Sequence, residues 1–134
     1  MRYTPENIET LGEDEVFVFG SNLAGVHGAG AARLAHKKFG YPMGMGHGPN
    51  YPMTCYAIPT KDRNIETLPI EHIRVYVDEL RLFTIMRPDR TFLITQLGCG
   101  LAGYTPADIA PLFKDYMDRP NVTLPKSFVE VLQA

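Results

Sequence analysis

The stretch "EVFVFGSNLAGVHGAGAARLAHKKFG", residues 15–40, decides the fold because a glycine-rich turn joins an apolar run to a helix-forming run. Its first part, "EVFVFG" (15–20), is rich in β-branched and aromatic residues, which is typical of a buried strand. Its last part, "GAARLAHKKFG" (30–40), contains helix formers and ends at Gly40, a predicted C-cap. The order strand, turn, helix predicts one unit of an α/β sheet.

The same alternation continues along the chain. Residues 41–53 are rich in glycine and proline without a hydrophobic period, which predicts a long loop. The later segments predict strands at 55–60, 91–98 and 121–124, and helices at 69–88, 105–117 and 125–133. Thr105, Pro106 and Asp108 form a predicted cap for the helix that starts near residue 105. Strands that alternate with helices predict a sheet covered by helices on both faces.

Composition favours one compact domain over residues 1–134. Hydrophobic residues make up 45% of the chain and charged residues 21%, which is ordinary for a globular protein. The net charge is −2 and no block of Lys or Arg occurs, so strong nonspecific nucleic-acid binding is not expected. The oligomeric state is left open.

The cysteines and the N-terminus point to a cytoplasmic protein without a metal. Cys55 and Cys99 form no C-x-x-C pair, and the histidines lack the close spacing of metal ligands, so we expect no disulfide, metal or cofactor. The first residues contain no apolar signal core, and no run approaches the ~20 apolar residues that a membrane span needs. We therefore expect no membrane partner.

Two glycine-rich turns carry the functional prediction. "GSNLAGVHGAG" (20–30) and "GCGLAG" (98–103) each follow a predicted strand and precede a helix, so both should lie at the carboxyl edge of the sheet. Backbone N–H groups at a helix N-terminus favour an anion, and a phosphate is the natural ligand. The first turn lacks the Lys-Ser/Thr ending of the Walker pattern, and its residues 25–30 do not follow the G-x-G-x-x-G spacing of dinucleotide folds. The alternative is that the glycines only shape tight connections.

The order and the amino-acid sequences of three segments resemble those of a macrodomain, the fold that binds ADP-ribose. The likeness is closest to the branch of the terminal ADP-ribose protein glycohydrolase and of bacterial macrodomain antitoxins, which remove ADP-ribose from DNA. The matching signatures are "GAGAARLAHKKFG" (28–40), "YAIPTK" (56–61) and "LGCGLAGY" (97–104). A phage or bacterial stand-alone protein with a macrodomain-like mixed sheet flanked by helices is the implied description.

The resemblance implies a ligand, an activity and a set of site residues. ADP-ribose or an ADP-ribosylated substrate would be the partner, and an ADP-ribosyl linkage would be hydrolysed. Lys61 falls on the catalytic lysine of the branch, and Asn22 on an asparagine that contacts the distal ribose. Ala102 stands where the human-type enzyme has an acidic partner, with Asp62 or His27 as possible substitutes. The remaining predicted ligand-binding residues are Gly20, Ser21, His27, Gly28, Ala29, Gly30, Gly98, Cys99, Gly100, Leu101, Ala102, Gly103 and Tyr104.

The sequence leaves the roles of several residues open. His27, flanked by glycine, could face the ligand or be a plain surface histidine. Cys99 could act as a nucleophile near a helix N-terminus but is expected to pack beneath its turn. Tyr104 is expected to line the distal ribose, and Asn7 lies near the position of the adenine-binding aspartate of many macrodomains. The alternative functions are a non-catalytic ADP-ribose or NAD-derived nucleotide binding module, an ADP-ribose 1″-phosphate phosphatase, and an unrelated Rossmann-like protein.

Overall fold

A computed structural model describes residues 2–134 of the chain as an α/β protein. Its elements in chain order are β1 (Glu15–Asn22), α1 (Gly30–Lys38), β2 (Gly48–Pro49), β3 (Cys55–Lys61), α2 (Ile70–Met86), β4 (Thr91–Ile94), α3 (Pro106–Ile109), a 3₁₀ helix (Ala110–Tyr116), β5 (Val122–Thr123) and α4 (Lys126–Gln133). The predicted alternation of strands and helices is therefore confirmed. Within the described residues, no helix has the length and apolar character needed to cross a bilayer.

The five strands form one mixed sheet in the order β2-β3-β1-β4-β5. Strands β3, β1, β4 and β5 are parallel, and only β2 runs antiparallel at one edge. Since parallel strands end at the same edge, the sheet brings the ends of β1, β3 and β4 together. A register shift between Ser21 and Asn22 places Asn22 opposite Lys61 on β3.

Alternating side chains of the central strands form a separate core on each face of the sheet. Phe17 and Phe19 of β1 pack with Ala32 and Ala35 of α1. Val16 and Val18 point to the opposite face, where the cluster includes residues of α2, α3, the 3₁₀ helix and α4. Because successive residues of β1 alternate between the two cores, a shift of one position along this strand would exchange the two faces.

Three predicted boundaries differ from the structure. The helix predicted at 105–117 is α-helical only over Pro106–Ile109 and continues as a 3₁₀ helix, because Pro111 has no N–H to donate to the preceding turn. The predicted strand at 91–98 ends at Ile94, and the predicted loop at 41–53 contains the short edge strand β2. The third change follows from β2 pairing Gly48 with Ala57, a contact between distant residues.

Candidate functional site

Two adjoining cavities form a cleft that includes the carboxyl ends of β1, β3 and β4. The smaller, of about 480 Å³, is lined by residues of both glycine-rich turns, including Gly28, Ala29, Gly98 and Gly100. The larger, of about 930 Å³, lies between α1, the N-terminal segment and the start of α4. Four residues border both cavities, which makes the cleft continuous: Gly30, Ala31, Thr95 and Gln96.

The N-terminus of α1 lies where the two cavities meet. Ala29 is the N-cap residue and has an extended backbone, and neither a capping side chain nor an acidic residue in the first turn occupies this end. The backbone N–H groups of Gly30, Ala31 and Ala32 precede the first helical hydrogen bond, which Arg33 N–H donates to Ala29. These donors and the helix dipole make this point of the cleft favourable for an anion.

Lys61 and Asn22 meet at the smaller cavity, as the sheet register requires. Both residues line it. The Asn22 carboxamide is engaged within its own turn, since its Nδ2 donates to Val26 O (2.8 Å) and its Oδ1 accepts from Val26 N (3.0 Å). Asn22 therefore shapes the turn, while Lys61 is the ionisable residue in the lining of the cavity.

The structure corrects the reading of His27. Its side chain is 1% exposed, so it is neither a surface histidine nor a residue that faces the cleft. Nε2 lies 3.1 Å from Pro42 O and 2.7 Å from Met45 O, and since both partners are acceptors, Nε2 carries the proton. His27 thus ties the first turn to residues 41–48, a role that its glycine neighbours did not reveal.

Residues 41–48 brace the first glycine-rich turn from behind. Gly44 N–H donates to Gly25 O (2.9 Å), and the Ser21 hydroxyl donates to Gly46 O. A Cβ at Gly46 would lie 1.8 Å from Asn22 O, so the two backbone segments are in direct contact. The loop is therefore a support for the site, and none of residues 41–48 borders either of the two cavities.

The second turn contributes backbone and Leu101 rather than all of its predicted residues. Gly98, Gly100, Leu101 and Ala102 line the smaller cavity, whereas Cys99, Gly103 and Tyr104 do not. The Tyr104 hydroxyl donates to Leu68 O (2.6 Å) and its ring packs on the core, so Tyr104 does not border the smaller cavity.

Cys99 lacks the electrostatic setting of a nucleophile. Burial, with a smaller contribution from the charge of Asp108, raises the pKa of the Cys99 thiol to about 11. The thiol is therefore protonated at neutral pH, and its side chain packs against the core as expected.

The acid or base that was expected to replace the missing acidic partner is absent from the smaller cavity. Its lining within residues 2–134 contains no Asp, Glu or His, and Lys61 is its one ionisable side chain. Asp62 instead accepts hydrogen bonds from Asn64 N (2.8 Å) and Glu66 N (3.0 Å), which hold the turn after β3. In the part of the chain described, no group of three or more metal-ligating side chains is placed to hold a metal ion.

Several lining residues were not predicted. Thr95, Gln96 and Leu97 enter the cleft because β4 ends early, and a polar pair after an apolar run was the signal that could have found them. Ile65 comes from "DRNIE", which has the composition of a charged loop and gives no such signal. Asn7 lies in the larger cavity.

Comparison of the chain with protein-family models, with curated proteins and with solved structures produced no match. The fold and the cleft define an α/β protein with a mixed sheet and a concave site at the carboxyl ends of its parallel strands.

Proposed function

We propose that the protein binds ADP-ribose or an ADP-ribosyl group and hydrolyses an ADP-ribosyl linkage. A macrodomain-like fold is part of this proposal and rests on the sequence signatures at residues 28–40, 56–61 and 97–104. The observation that carries the proposal is the uncapped N-terminus of α1 at the junction of two cavities. ADP-ribose has the matching shape, since its pyrophosphate lies between an adenosine and a second ribose.

The proposed ligand lies in the cleft in one direction. The pyrophosphate binds the N–H groups at Gly30 and Ala31, and the adenosine end occupies the larger cavity near Asn7. The distal ribose then lies in the smaller cavity beside Asn22 and Lys61. The N–H groups of Gly30 and Ala31 are held in place by the fold, so they stabilise the negative charge of the pyrophosphate without reorganisation.

Hydrolysis breaks the bond between C1″ of the distal ribose and the acceptor. Water supplies the hydroxyl group to C1″ and a proton to the acceptor. Lys61 acts in one of two ways, either by attacking C1″ as an amine or by polarising the scissile bond as a cation. Lys61→Arg separates them, because arginine keeps the charge and is not a nucleophile.

A non-catalytic binding module is the second candidate function. It is favoured by the absence of any carboxylate or histidine from the lining of the smaller cavity over residues 2–134, together with Ala102 at the position of the acidic partner. The phosphatase alternative is disfavoured on geometry, since His27 is buried and Asp62 is held in its own turn.

The first test is a thermal-shift titration with ADP-ribose beside ATP, NAD and AMP. A ligand at about a hundred times its dissociation constant adds roughly 2.7 kcal/mol, which raises the melting temperature by several degrees. A shift specific to ADP-ribose supports the ligand class, and no shift with any of the four contradicts it.

The second test is product analysis with two substrates. We expect 1″-O-(4-nitrophenyl)-ADP-ribose to release nitrophenol and free ADP-ribose, and ADP-ribose 1″-phosphate to release no phosphate. Lys61→Ala should abolish release of nitrophenol and retain ADP-ribose binding. Binding without any product would identify the binding module.

A further inference from the structure

Three exposed aliphatic side chains border the smaller cavity, and we call them the apolar collar. Val26 is 55% exposed, Ile65 43% and Leu101 80%. They come from three different segments, namely the first glycine-rich turn, the turn after β3 and the second glycine-rich turn. All three side chains line the smaller cavity together with Lys61. None of the three borders the larger cavity.

Ile65 is held in the collar against its own conformational preference. Its φ is +61°, the left-handed region that branched side chains rarely adopt. Asp62 fixes this conformation, because Ile65 N–H donates to Asp62 O (3.1 Å) and the Asp62 carboxylate binds Asn64 and Glu66. Backbone strain of this kind persists where the surroundings over-determine it, and it clusters at functional sites.

The turn that carries Ile65 is also attached to the second glycine-rich turn. Lys61 and Thr67 form a β-bridge across its base. The Thr67 hydroxyl then donates to Ala102 O (2.9 Å). These contacts connect the turns of Ile65 and Leu101 at the rim of the cavity that Lys61 lines.

Core packing does not account for Ile65. Its side chain is absent from both hydrophobic clusters and remains 43% exposed, so the strained position stabilises no interior contact. Glycine or asparagine would adopt this φ with less strain. The feature that isoleucine supplies here is apolar surface at the mouth of the cavity.

We propose that the apolar collar is an acceptor subsite that binds an uncharged aromatic ring joined to C1″ of the distal ribose. This inference rests on the proposed function and adds the class of acceptor to it. A flat apolar face matches three aliphatic side chains, and the Lys61 ammonium beside them attracts the face of an aromatic ring. The net charge of −2, with no Lys or Arg block, gives no basis for recognising an acceptor by its negative charge.

The test compares binding of three compounds to the full chain by calorimetry: ADP-ribose, 1″-S-methyl-ADP-ribose and 1″-S-phenyl-ADP-ribose, whose sulfur linkage resists hydrolysis. We expect wild type to bind the phenyl compound about tenfold more tightly than the methyl compound. Ile65→Gly and Leu101→Ala should each remove most of this preference, measured as the ratio of the two dissociation constants in each variant. Leu82→Ala, an exposed leucine on α2 outside the cleft, is the matched control and should keep the preference.

Further readouts separate the possible failures. Ile65→Gly relieves the strained φ, so its melting temperature should equal or exceed that of wild type. Equal binding of the phenyl and methyl compounds by wild type overturns the subsite alone, as does a preference that survives both collar substitutions. Failure of wild type to bind ADP-ribose overturns the proposed function and the subsite with it.

Discussion

The two glycine-rich turns, residues 20–30 and 98–104, follow the same plan and differ in what occupies the helix behind them. The first turn leads into α1, whose N-terminus has neither a capping side chain nor an acidic residue in its first turn. The second leads into α3, where the Asp108 carboxylate accepts hydrogen bonds from Thr105 N (2.9 Å) and its hydroxyl (3.0 Å). The same sequence pattern thus leaves an anion site open only where the helix lacks a carboxylate of its own.

The two turns also differ in their support. The first contacts residues 41–48 through buried polar groups of Ser21 and His27, and Gly46 leaves no room for a side chain. The second turn is held by bonds within itself, such as Tyr104 N to Gly98 O (2.9 Å), and by the Thr67 hydroxyl, which donates to Ala102 O, while Gly100 faces open space. The first turn is therefore packed directly against a second backbone segment, whereas the second turn has free space at Gly100.

The largest expected effect comes from giving α1 the carboxylate that α3 already has. Ala31→Asp places a negative charge where the anion is proposed to bind, at a residue that borders both cavities. Two like charges about 4 Å apart near a protein surface repel by up to about 4 kcal/mol, so ADP-ribose affinity should fall on the order of a hundredfold. Calorimetry measures this change.

Ala31→Asn is the matched control, because it adds nearly the same volume without the charge. It should lose much less affinity than Ala31→Asp. Equal losses in the two variants would show that space, and not charge, limits this position. Unchanged affinity in Ala31→Asp would remove the anion from the α1 N-terminus.

The next effect tests the difference in support between the two turns. Gly46→Ala should lower the free energy of unfolding by about 1–3 kcal/mol, because the new Cβ overlaps the backbone oxygen of Asn22. Gly100→Ala should change it by less than about 0.5 kcal/mol, since no atom lies within 4 Å of its Cβ. Urea unfolding measures both, and similar values for the two variants would contradict this difference in support.

A smaller effect is expected from removing the cap of the second helix. Asp108→Ala should cost about 0.5–2 kcal/mol of stability, because two hydrogen bonds to Thr105 are lost. ADP-ribose affinity should stay within about twofold when measured by the same calorimetry. A large loss of affinity with normal stability would mean that the second helix end also contributes to the ligand site.

The smallest effect concerns the thiol in the second turn. Cys99→Ser should leave turnover of 1″-O-(4-nitrophenyl)-ADP-ribose unchanged, because the thiol is protonated at neutral pH. Alkylation of native Cys99 by iodoacetamide should stay slow at pH 8 and accelerate as the pH approaches about 11, the raised pKa. Fast alkylation at pH 7 would show a thiolate and reopen its role as a nucleophile.

Stability should depend on pH with a sign set by the same thiols. Burial raises the pKa of Cys55 to about 12 and that of Cys99 to about 11, from an ordinary value of 9.0. The unfolded chain therefore loses these protons at lower pH than the native chain. The free energy of unfolding should fall as pH rises above about 9, and Cys55→Ala with Cys99→Ala should reduce that slope in urea titrations.

Local patterns predicted most of the elements, while long-range contacts decided the features that were missed. The runs at 15–20, 55–60 and 91–98 have strand composition, and β1, β3 and β4 each begin at the first residue of one of them. Strand β2 exists only because β3 lies beside it, and His27 is buried only because residues 41–48 cover it. The resemblance, and not composition, pointed to Lys61, while Ile65 lines the cavity from a turn that has no sequence signal.

The sequence alone determined the alternating α/β order, the two glycine-rich turns at strand ends and the cap of the second helix, since these follow from local composition and chain order. Tertiary structure alone decided which polar groups face the cleft and which aliphatic side chains share a cavity with Lys61. The physical reason is that the helix cap at Asp108 and the turn that holds Ile65 are local, whereas the burial of His27 and the register of Asn22 with Lys61 depend on segments distant in the chain.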